Sequence, residues 1–219
     1  MAVSRPAPAA APTRDEVVTA FRRESLLAAA RRVFGARGFD AATVDAIAAE
    51  AQVAKGTVYL YFPSKEAIYE AAFDAGLDQL IRHTAERLRA AAGPREAIRA
   101  FVEVRLEYFQ DQPDFFRMYM VHVSRQIAGC APSGGRPDMM AQQTRALRDL
   151  FARAVRAGTL RDVDPSAAAH AVFDMTRGLI ARRLLSRTRS SVAADVAFLT
   201  DLLWTGLHGP ASMSTDPTA

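Results

Sequence analysis

The chain has 219 residues, of which 50% are hydrophobic and 24% charged, so it can bury a sizeable core and is neither disordered nor collagen-like. Its single cysteine, Cys130, excludes an internal disulfide and a thiolate zinc site. No apolar run approaches the roughly 18–20 residues that cross a bilayer, and the first residues lack the apolar stretch of a secretory signal. We therefore expect a cytoplasmic protein with no membrane partner.

The positive charge is concentrated near the start of the chain. Residues 1–65 hold nine lysines and arginines against six acids, a net charge of +3, whereas all the other residues together add +1 to reach the total of +4. A net charge of this size is compatible with a nucleic-acid partner but does not require one.

The sequence pattern predicts helices almost throughout. An Ala/Pro-rich segment, residues 1–14, is expected to be a disordered arm. The first helix ends near Gly38, which suits the left-handed residue after a helix end. Thr43 caps a short helix whose apolar residues recur at helical spacing, and residues 55–62 form a second short helix. Ser64 then caps a long helix.

A second, larger helical body follows, interrupted by a Gly/Pro-rich loop at residues 129–137. Its predicted helices span residues 94–110, 113–128, 139–157, 165–187 and 191–207. No alternating β-strand pattern of useful length and no internal repeat is present. The predicted fold class is all-α, with roughly nine helices. The predicted domains are an N-terminal helical domain at 15–66, a larger helical domain at 67–209 and a disordered tail at 210–219.

Residues 43–62 fit two short helices joined by a tight turn, which is the pattern of a helix-turn-helix whose second helix enters the DNA major groove. The segment KGTVYLY at 55–61 supplies a cation, hydroxyl donors and a glycine that lets the backbone approach a phosphate. Val58 and Phe62 would anchor this helix to the core. From spacing alone, an ordinary helical hairpin with a solvated basic face is the alternative.

Four motifs follow one another at fixed spacing within residues 22–69. They are Phe34…Gly38-Phe39, Thr43-Val44-x-x-Ile47-Ala48, Lys55-Gly56-Thr57-x-Tyr59 and Phe62-x-Ser64-Lys65-Glu66. In this order they closely resemble the DNA-binding domain of the tetracycline-repressor-like (TetR/AcrR) family. The later part of the chain resembles the family only in its helical layout and in short phrases.

The resemblance implies a three-helix helix-turn-helix domain joined to a helical ligand-binding and dimerisation domain. It implies a homodimer, usually a repressor, that binds a palindromic double-stranded DNA operator and is released by a small-molecule effector. The residues that match family positions in contact with DNA are Thr43, Lys55, Gly56, Thr57, Tyr59, Tyr61 and Lys65. Lys65, at a helix start, is expected to contact a phosphate.

Three positions depart from the family pattern. Leu60 replaces a polar or aromatic residue and could contact a thymine methyl group. Gln52 stands where the family often has a glycine in the turn, and Ala54 stands where it often has a serine cap. We expect Gln52 to adopt a left-handed conformation and Ala54 to leave N–H groups of the second helix uncapped.

Aromatic and polar side chains on the later helices are candidates for an effector pocket, although aromatics at this spacing are as often plain core. The candidates are Phe101, Arg105, Tyr108, Phe116, Tyr119, His122, Met140, Phe173 and Arg177. Such a pocket suits a hydrophobic or amphipathic effector, aromatic or anionic. The favoured interpretation of Arg105 and Arg177 is a surface arginine whose stem covers apolar residues, and that of His122 is a satisfied buried or rim histidine.

The last two helices carry an apolar stripe that we expect to form a two-fold dimer interface, because symmetry doubles the contacts of a short recognition helix on a palindrome. The stripe consists of Ala168, Val172, Met175, Leu179, Ile180, Val192, Val196, Leu199 and Leu203.

No catalytic, metal or cofactor constellation is found in the sequence. It contains no GxSxG, Walker or HExxH motif, and its histidines lack metal-ligand spacing. Cys130 is expected to be incidental, with a thiol sensor as the remote alternative. Three function classes compete: a ligand-responsive repressor, a constitutive DNA binder with a filled core, and an enzyme that carries a helix-turn-helix, for which we find no catalytic residues.

Overall fold

The structure, a computed structural model, describes residues 13–127, 138–185 and 190–208, and the regular elements in these ranges are all helices. They are α1 Arg14–Ala41, α2 Val44–Glu50, α3 Lys55–Tyr61, α4 Lys65–Ala90, α5 Pro94–Asp111, α6 Pro113–Ile127, α7 Met139–Arg156, α8 Pro165–Leu185 and α9 Val192–Leu207. The all-α prediction is confirmed. The predicted loop with Cys130, the tail and almost all of the predicted arm lie outside the described residues.

The chain divides into two compact units between Ala72 and Phe73, inside α4. The first unit consists of α1, α2, α3 and the beginning of α4. Its core includes Leu26, Ile47 and Val58, none of which is more than 2% exposed. Burial of these apolar side chains holds α1, α2 and α3 together, since α2 and α3, with seven residues each, are too short to be stable alone.

α1 has a defined start and a break near its end. Thr13 and Glu16 form a capping box, in which the Glu16 N–H donates to the Thr13 side chain and the Thr13 N–H donates to the Glu16 carboxylate at 2.7 Å. These bonds from Thr13 lower the pKa of Glu16. The helical backbone breaks at Gly38, whose φ of +75° lies in the left-handed region that glycine tolerates, as the sequence predicts.

α5 is the central helix of the second unit and packs against α6, α7, α8 and α9. It is buried along most of its length, with Phe101, Arg105 and Phe109 each at most 1% exposed. α8 packs on α7 and α9. The buried Asp195 of α9 accepts hydrogen bonds from Arg182 and Arg183 at the end of α8, so ionic contacts as well as apolar ones join these two helices.

Candidate functional site

α3 is anchored on one side and open to solvent on the other. Val58 is fully buried and Phe62, its C-cap, is 3% exposed, so both side chains fix the helix to the first unit as predicted. On the opposite side Tyr59 is 47% and Leu60 83% exposed. These two side chains are therefore accessible to another molecule.

The predicted DNA-contacting residues around α3 lie together at this surface. Thr43, Lys55 and Gly56 are exposed, and Thr57 and Tyr61 are half-buried. Thr43 also caps α2, since its side chain accepts a hydrogen bond from the Ala46 N–H at 3.1 Å. A Cβ added to Gly56 would meet no atom within 4 Å, so nothing inside the subunit requires a glycine there.

Lys55 already has an anionic neighbour. Its ammonium group donates to the Asp45 carboxylate of α2 at 2.8 Å, and this bond raises the pKa of Lys55. Both side chains are largely exposed, and the pair is therefore weak in water. A DNA phosphate can replace Asp45 as the partner of Lys55 at little cost.

The structure gives Lys65 a different role from the predicted phosphate contact. Its ammonium group donates to the backbone carbonyls of Phe39 at 3.0 Å, Ala42 at 3.1 Å and Asp40 at 3.4 Å, and it lies 4.5 Å from the centroid of the Phe39 ring. All three ammonium donors are thereby directed to the end of α1. Lys65 joins the start of α4 to that end, and the phosphate contact stays a prediction.

Sequence reasoning missed Arg22 of α1. The exposed Arg22 lines a groove of about 170 Å³ together with Thr57 and Tyr61 of α3 and with Ser25. An arginine at the edge of a candidate recognition helix is well placed for a backbone phosphate. The sequence did show an excess of basic residues within residues 1–65, but this excess does not indicate which arginine contacts DNA.

The turn between α2 and α3 has the two predicted irregularities. Gln52 has a φ of +57° and is the only residue other than glycine with positive φ in the described part of the chain. Ala54 is the N-cap of α3 and makes no side-chain hydrogen bond to it. Gln52 lowers the free energy of unfolding by about 1 kcal/mol relative to a glycine at that position, and Ala54 lowers it by about the same amount relative to a serine.

We expect Gln52→Gly and Ala54→Ser each to raise the melting temperature by about 2–4 °C, because glycine relieves the left-handed strain and serine caps α3. Ala54→Ser should also tighten operator binding by offering a hydroxyl to a phosphate. Gln52→Ala and Ala54→Val are the controls, since neither change supplies the missing feature. A neutral or lower melting temperature for both test variants in differential scanning calorimetry would contradict this interpretation.

In the second unit, α5, α6 and α8 bring three predicted pocket residues, Phe101, Tyr119 and Phe173, near one buried arginine, Arg105, which is itself a predicted pocket residue. The Arg105 guanidinium lies 5.1 Å from the centroid of the Phe101 ring and 4.8 Å from that of Phe173. Its Nη2 donates to Gln143 Oε1 at 2.7 Å, and Gln143 Nε2 donates to the Tyr119 hydroxyl at 3.3 Å. These contacts link α5, α6 and α7 through polar groups inside an apolar region.

Arg105 is the largest correction to the sequence interpretation, because it is not a surface arginine. It is 1% exposed, and its Nε and Nη1 atoms have no hydrogen-bond partner among the described residues. Burial, with a smaller contribution from the charge of Arg177, lowers the pKa of Arg105 to about 10, so the group is still protonated at pH 7. Gln143 was also missed, although it stands within the apolar α7 stripe that includes Met139, Leu147 and Phe151.

The remaining pocket candidates have other environments. Tyr108 and Phe116 are buried, but the Tyr108 hydroxyl donates to the Gly76 carbonyl at 2.9 Å and Phe116 packs on Phe109, both structural roles. Met140 is half-buried, and its neighbour Met139 is the residue in the core. Arg177 is partly exposed and pairs with Asp174 at 2.9 Å, which agrees with the surface interpretation.

His122 lies one turn after Tyr119 on α6. Its ring stacks on Phe73 at a centroid distance of 4.1 Å, and the residue is 4% exposed. Within the described part of the chain neither ring nitrogen has a hydrogen-bond partner. The expectation that its nitrogens are satisfied is therefore wrong. Burial, reinforced by the charge of Arg125, lowers the pKa of His122, while Asp74 opposes the shift.

A lowered pKa in the folded state makes the stability depend on pH. Below its ordinary pKa, about 6.5, His122 takes up a proton more readily in the unfolded chain, so the free energy of unfolding should decrease as the pH falls through this range. We expect the melting temperature of the native protein to drop between pH 7.5 and 5.5 by about 2–4 °C more than that of His122→Phe, which keeps the stacking on Phe73. Equal drops would show that His122 does not control this dependence.

The predicted dimer stripe lies mostly inside the subunit. Ala168, Val172, Leu179, Ile180, Val196, Leu199 and Leu203 are each at most 9% exposed, and Val192 is half-buried. A partner subunit cannot reach these side chains, because they already form the core of α8 and α9. Periodicity identified the buried face of each helix and not its outer face.

Apolar residues do remain on the outside of the same two helices. Met175 of α8 is 39% exposed, and Phe198 and Leu202, one turn apart on α9, are 64% and 50% exposed. We call these three residues the α8/α9 outer face. Of the predicted stripe, only Met175 belongs to it.

Outside the two regions described above, the structure has an open groove. In the described ranges no helix is long and apolar enough to cross a membrane, and no cluster of three or more His, Cys, Asp or Glu could hold a metal ion. An open groove of about 400 Å³ between α5 and α9, lined by residues such as Arg95, Arg99 and Asp201, includes none of the predicted effector residues.

Comparison with known proteins agrees with the geometry of both units. Residues 26–72 match the family of bacterial regulatory proteins of the tetR type, and residues 86–196 match the tetracyclin repressor-like C-terminal domain. The chain is 30% identical over 167 residues to the HTH-type transcriptional regulator RutR of Escherichia coli K12, an alignment that covers 73% of this chain and 72% of RutR.

Two further proteins extend the comparison. The HTH-type transcriptional activator FasR of Mycolicibacterium smegmatis is 35% identical over 105 residues, which are 48% of this chain and 46% of FasR. The FadR regulator of Bacillus subtilis, solved in complex with stearoyl-CoA, has the same fold with a TM-score of 0.68 and 18% identity, over 84% of this chain and 99% of FadR. The chain therefore belongs to the TetR family of DNA-binding, helix-turn-helix transcriptional regulators.

Proposed function

We propose that the protein is a ligand-responsive repressor that binds a palindromic operator as a homodimer. A small hydrophobic or amphipathic effector, bound among α5, α6, α7 and α8, releases it from the DNA. The protein acts in the cytoplasm and catalyses no reaction. The observation that carries the DNA-binding part is the solvent-facing side of α3, where the 83% exposed Leu60 lies beside Tyr59, Lys55 and the unobstructed Gly56.

The α8/α9 outer face supports the dimer. Exposed Met175, Phe198 and Leu202 are apolar side chains that a second copy of the chain would cover in a symmetric contact. A dimer presents two copies of α3 to the two halves of a palindrome, which a helix of seven residues needs for tight binding.

The buried polar groups of the second unit support an effector. Arg105 and His122 have four side-chain nitrogens without a hydrogen-bond partner among the described residues, in an apolar interior. Unpaired buried polar groups destabilise the folded protein, and a DNA-binding protein without an effector would gain nothing from them. FadR, which shares the fold, accommodates a ligand. The sequence relationship to the activator FasR makes activation the alternative to repression.

α4 is the natural connection between the two functions, because it begins in the first unit and ends in the second. Lys65 joins its start to the end of α1, so a shift of α4 would move the DNA-binding unit. The two recognition helices of a dimer must match one turn of DNA, about 34 Å, and a small shift therefore weakens binding. A tenfold loss of operator affinity needs about 1.4 kcal/mol of coupling.

Gly56→Ala tests the DNA-binding surface directly. The new methyl group meets nothing in the subunit, so we expect an unchanged or slightly higher melting temperature. On DNA the methyl group would hold the backbone away from the phosphate, and operator affinity should fall about tenfold or more. The measurement is a gel shift on the DNA upstream of the gene together with calorimetry.

Gly93→Ala is the matched control, since a Cβ at Gly93 also meets no atom within 4 Å and the residue belongs to the second unit. It should leave operator binding unchanged. Equal affinities of Gly56→Ala and the native protein would show that α3 does not approach DNA in the proposed way.

A further inference from the structure

Arg105 has the properties of a ligand-binding group and lacks those of a structural one. Its guanidinium carries five N–H donors, and three of them are on Nε and Nη1, which have no acceptor. No carboxylate in the described ranges pairs with it, and its one hydrogen bond is to the neutral amide of Gln143. A structural arginine at 1% exposure would be expected to have its charge and its donors satisfied.

The surroundings of Arg105 favour an anion. Arg177 also lies over the Phe173 ring, with 5.9 Å between its Cζ atom and the ring centroid, so two cations share one aromatic side chain. The partner of Arg177, Asp174, is half exposed and does not reach Arg105. An acceptor with one negative charge would satisfy the buried guanidinium and relieve its repulsion from Arg177.

The shape of the site favours a carboxylate. The rings of Phe101 and Phe173 lie near the guanidinium, whose N–H groups point outward in its own plane. A planar carboxylate can accept two parallel hydrogen bonds from one edge of the guanidinium, from Nη2 together with either Nε or Nη1, and it cancels one positive charge. A phosphate dianion would leave an excess negative charge in an apolar interior.

We propose that Arg105 binds the carboxylate of an otherwise apolar effector, with the body of the effector among the aromatic side chains of α5, α6 and α8. This inference rests on the proposed function, because it names the chemical class of the effector. His122, one turn from Tyr119 on α6, is a second buried side chain whose ring nitrogens lack partners among the described residues.

The test uses two series of probes of equal shape: straight-chain and phenyl-substituted carboxylic acids of two to sixteen carbons, and their neutral primary amides. We expect at least one acid to stabilise the native dimer in thermal-shift and calorimetric titrations. Its dissociation constant should be at least about tenfold lower than that of its amide. Arg105→Met should lose this preference, with at least about tenfold weaker binding of the acid.

Two further variants separate a ligand-binding role from a structural one. Arg105→Met without any probe should be as stable as the native protein or more so, because methionine replaces an unpaired buried charge by an apolar side chain of similar length. Arg105→Lys retains the charge without the planar edge and should keep part of the affinity. Arg99→Met, on the same helix but exposed and paired with Glu96 and Glu103, should change neither property.

The proposal is overturned if no acid stabilises the protein, if an amide binds as well as its acid, or if Arg105→Met binds the acid as tightly as the native protein does. A gel shift with the same acids distinguishes the proposed effector response from the proposed carboxylate site. Binding that depends on Arg105 but leaves the operator complex intact supports the carboxylate site and contradicts the proposed effector response. Operator binding with no acid bound at all contradicts only the carboxylate site.

Discussion

Phe198→Glu is expected to sediment as a monomer of 23.8 kDa, whereas we expect the native protein to sediment as a dimer at micromolar concentration. Phe198 is 64% exposed in the isolated chain and lies one turn from the exposed Leu202 on α9. Aromatic side chains at the centre of an interface commonly contribute 2 kcal/mol or more, and a symmetric contact contains each residue twice. The loss is therefore about 4 kcal/mol, or roughly a thousandfold in dimerisation.

Operator affinity should decrease when the dimer dissociates into monomers. A monomer presents one α3 and contacts one half of the palindrome, so we expect at least a hundredfold loss of operator affinity in a gel shift at fixed salt. Val121→Glu is the matched control, because Val121 is also an exposed apolar residue, 43% exposed, but lies on α6. A dimeric Phe198→Glu protein with unchanged operator affinity would place the interface elsewhere.

The buried stripe on α8 and α9 shows why the sequence pattern predicted the two helices but selected, as the dimer interface, a face that is buried within the subunit. Hydrophobic periodicity reports the side of a helix that is buried in its own subunit, as with Val172 and Leu199. An interface residue is distinguished by being apolar and still exposed after folding, as Phe198 is. The exposure of a side chain after folding depends on which neighbouring helices cover α9. It therefore cannot be predicted from the sequence of α9 alone.

The helix-turn-helix was predicted in more detail, because its constraints are local. Thr43 as a cap, the positive φ of Gln52 and the missing cap at Ala54 follow from residues within a few positions of each other. The burial of Arg105 could not be predicted from nearby residues in the same way. Its burial depends on Phe101, Phe173 and Gln143, which come from three helices, and an arginine on an apolar helix is more often at a surface.

The two lysines of the chain, Lys55 and Lys65, are expected to respond in opposite ways to the same substitution. Lys65→Met removes the donor to three backbone carbonyls at the end of α1, and hydrogen bonds from a charged donor contribute about 1.5–3 kcal/mol. We expect the free energy of unfolding to fall by about 2–3 kcal/mol, measured by urea denaturation. Methionine retains the apolar stem, so the change isolates the ammonium group.

Lys55→Met should leave the stability unchanged, because Lys55 is paired in the folded unit with Asp45, and both side chains of this pair are largely exposed to water. Its effect should appear on DNA. Loss of one phosphate contact in each subunit should reduce the dependence of operator affinity on salt concentration by about one unit per subunit and weaken specific and non-specific DNA alike.

The salt dependence of Lys65→Met, measured where the variant is still folded, completes the comparison. With the ammonium group directed to the α1 carbonyls, its removal should leave the slope of log affinity against log salt as it is in the native protein. A reduced slope in Lys65→Met together with unchanged stability would mean that Lys65 leaves α1 and contacts phosphate. In that case its bonds to Phe39 and Ala42 would belong only to the protein without DNA.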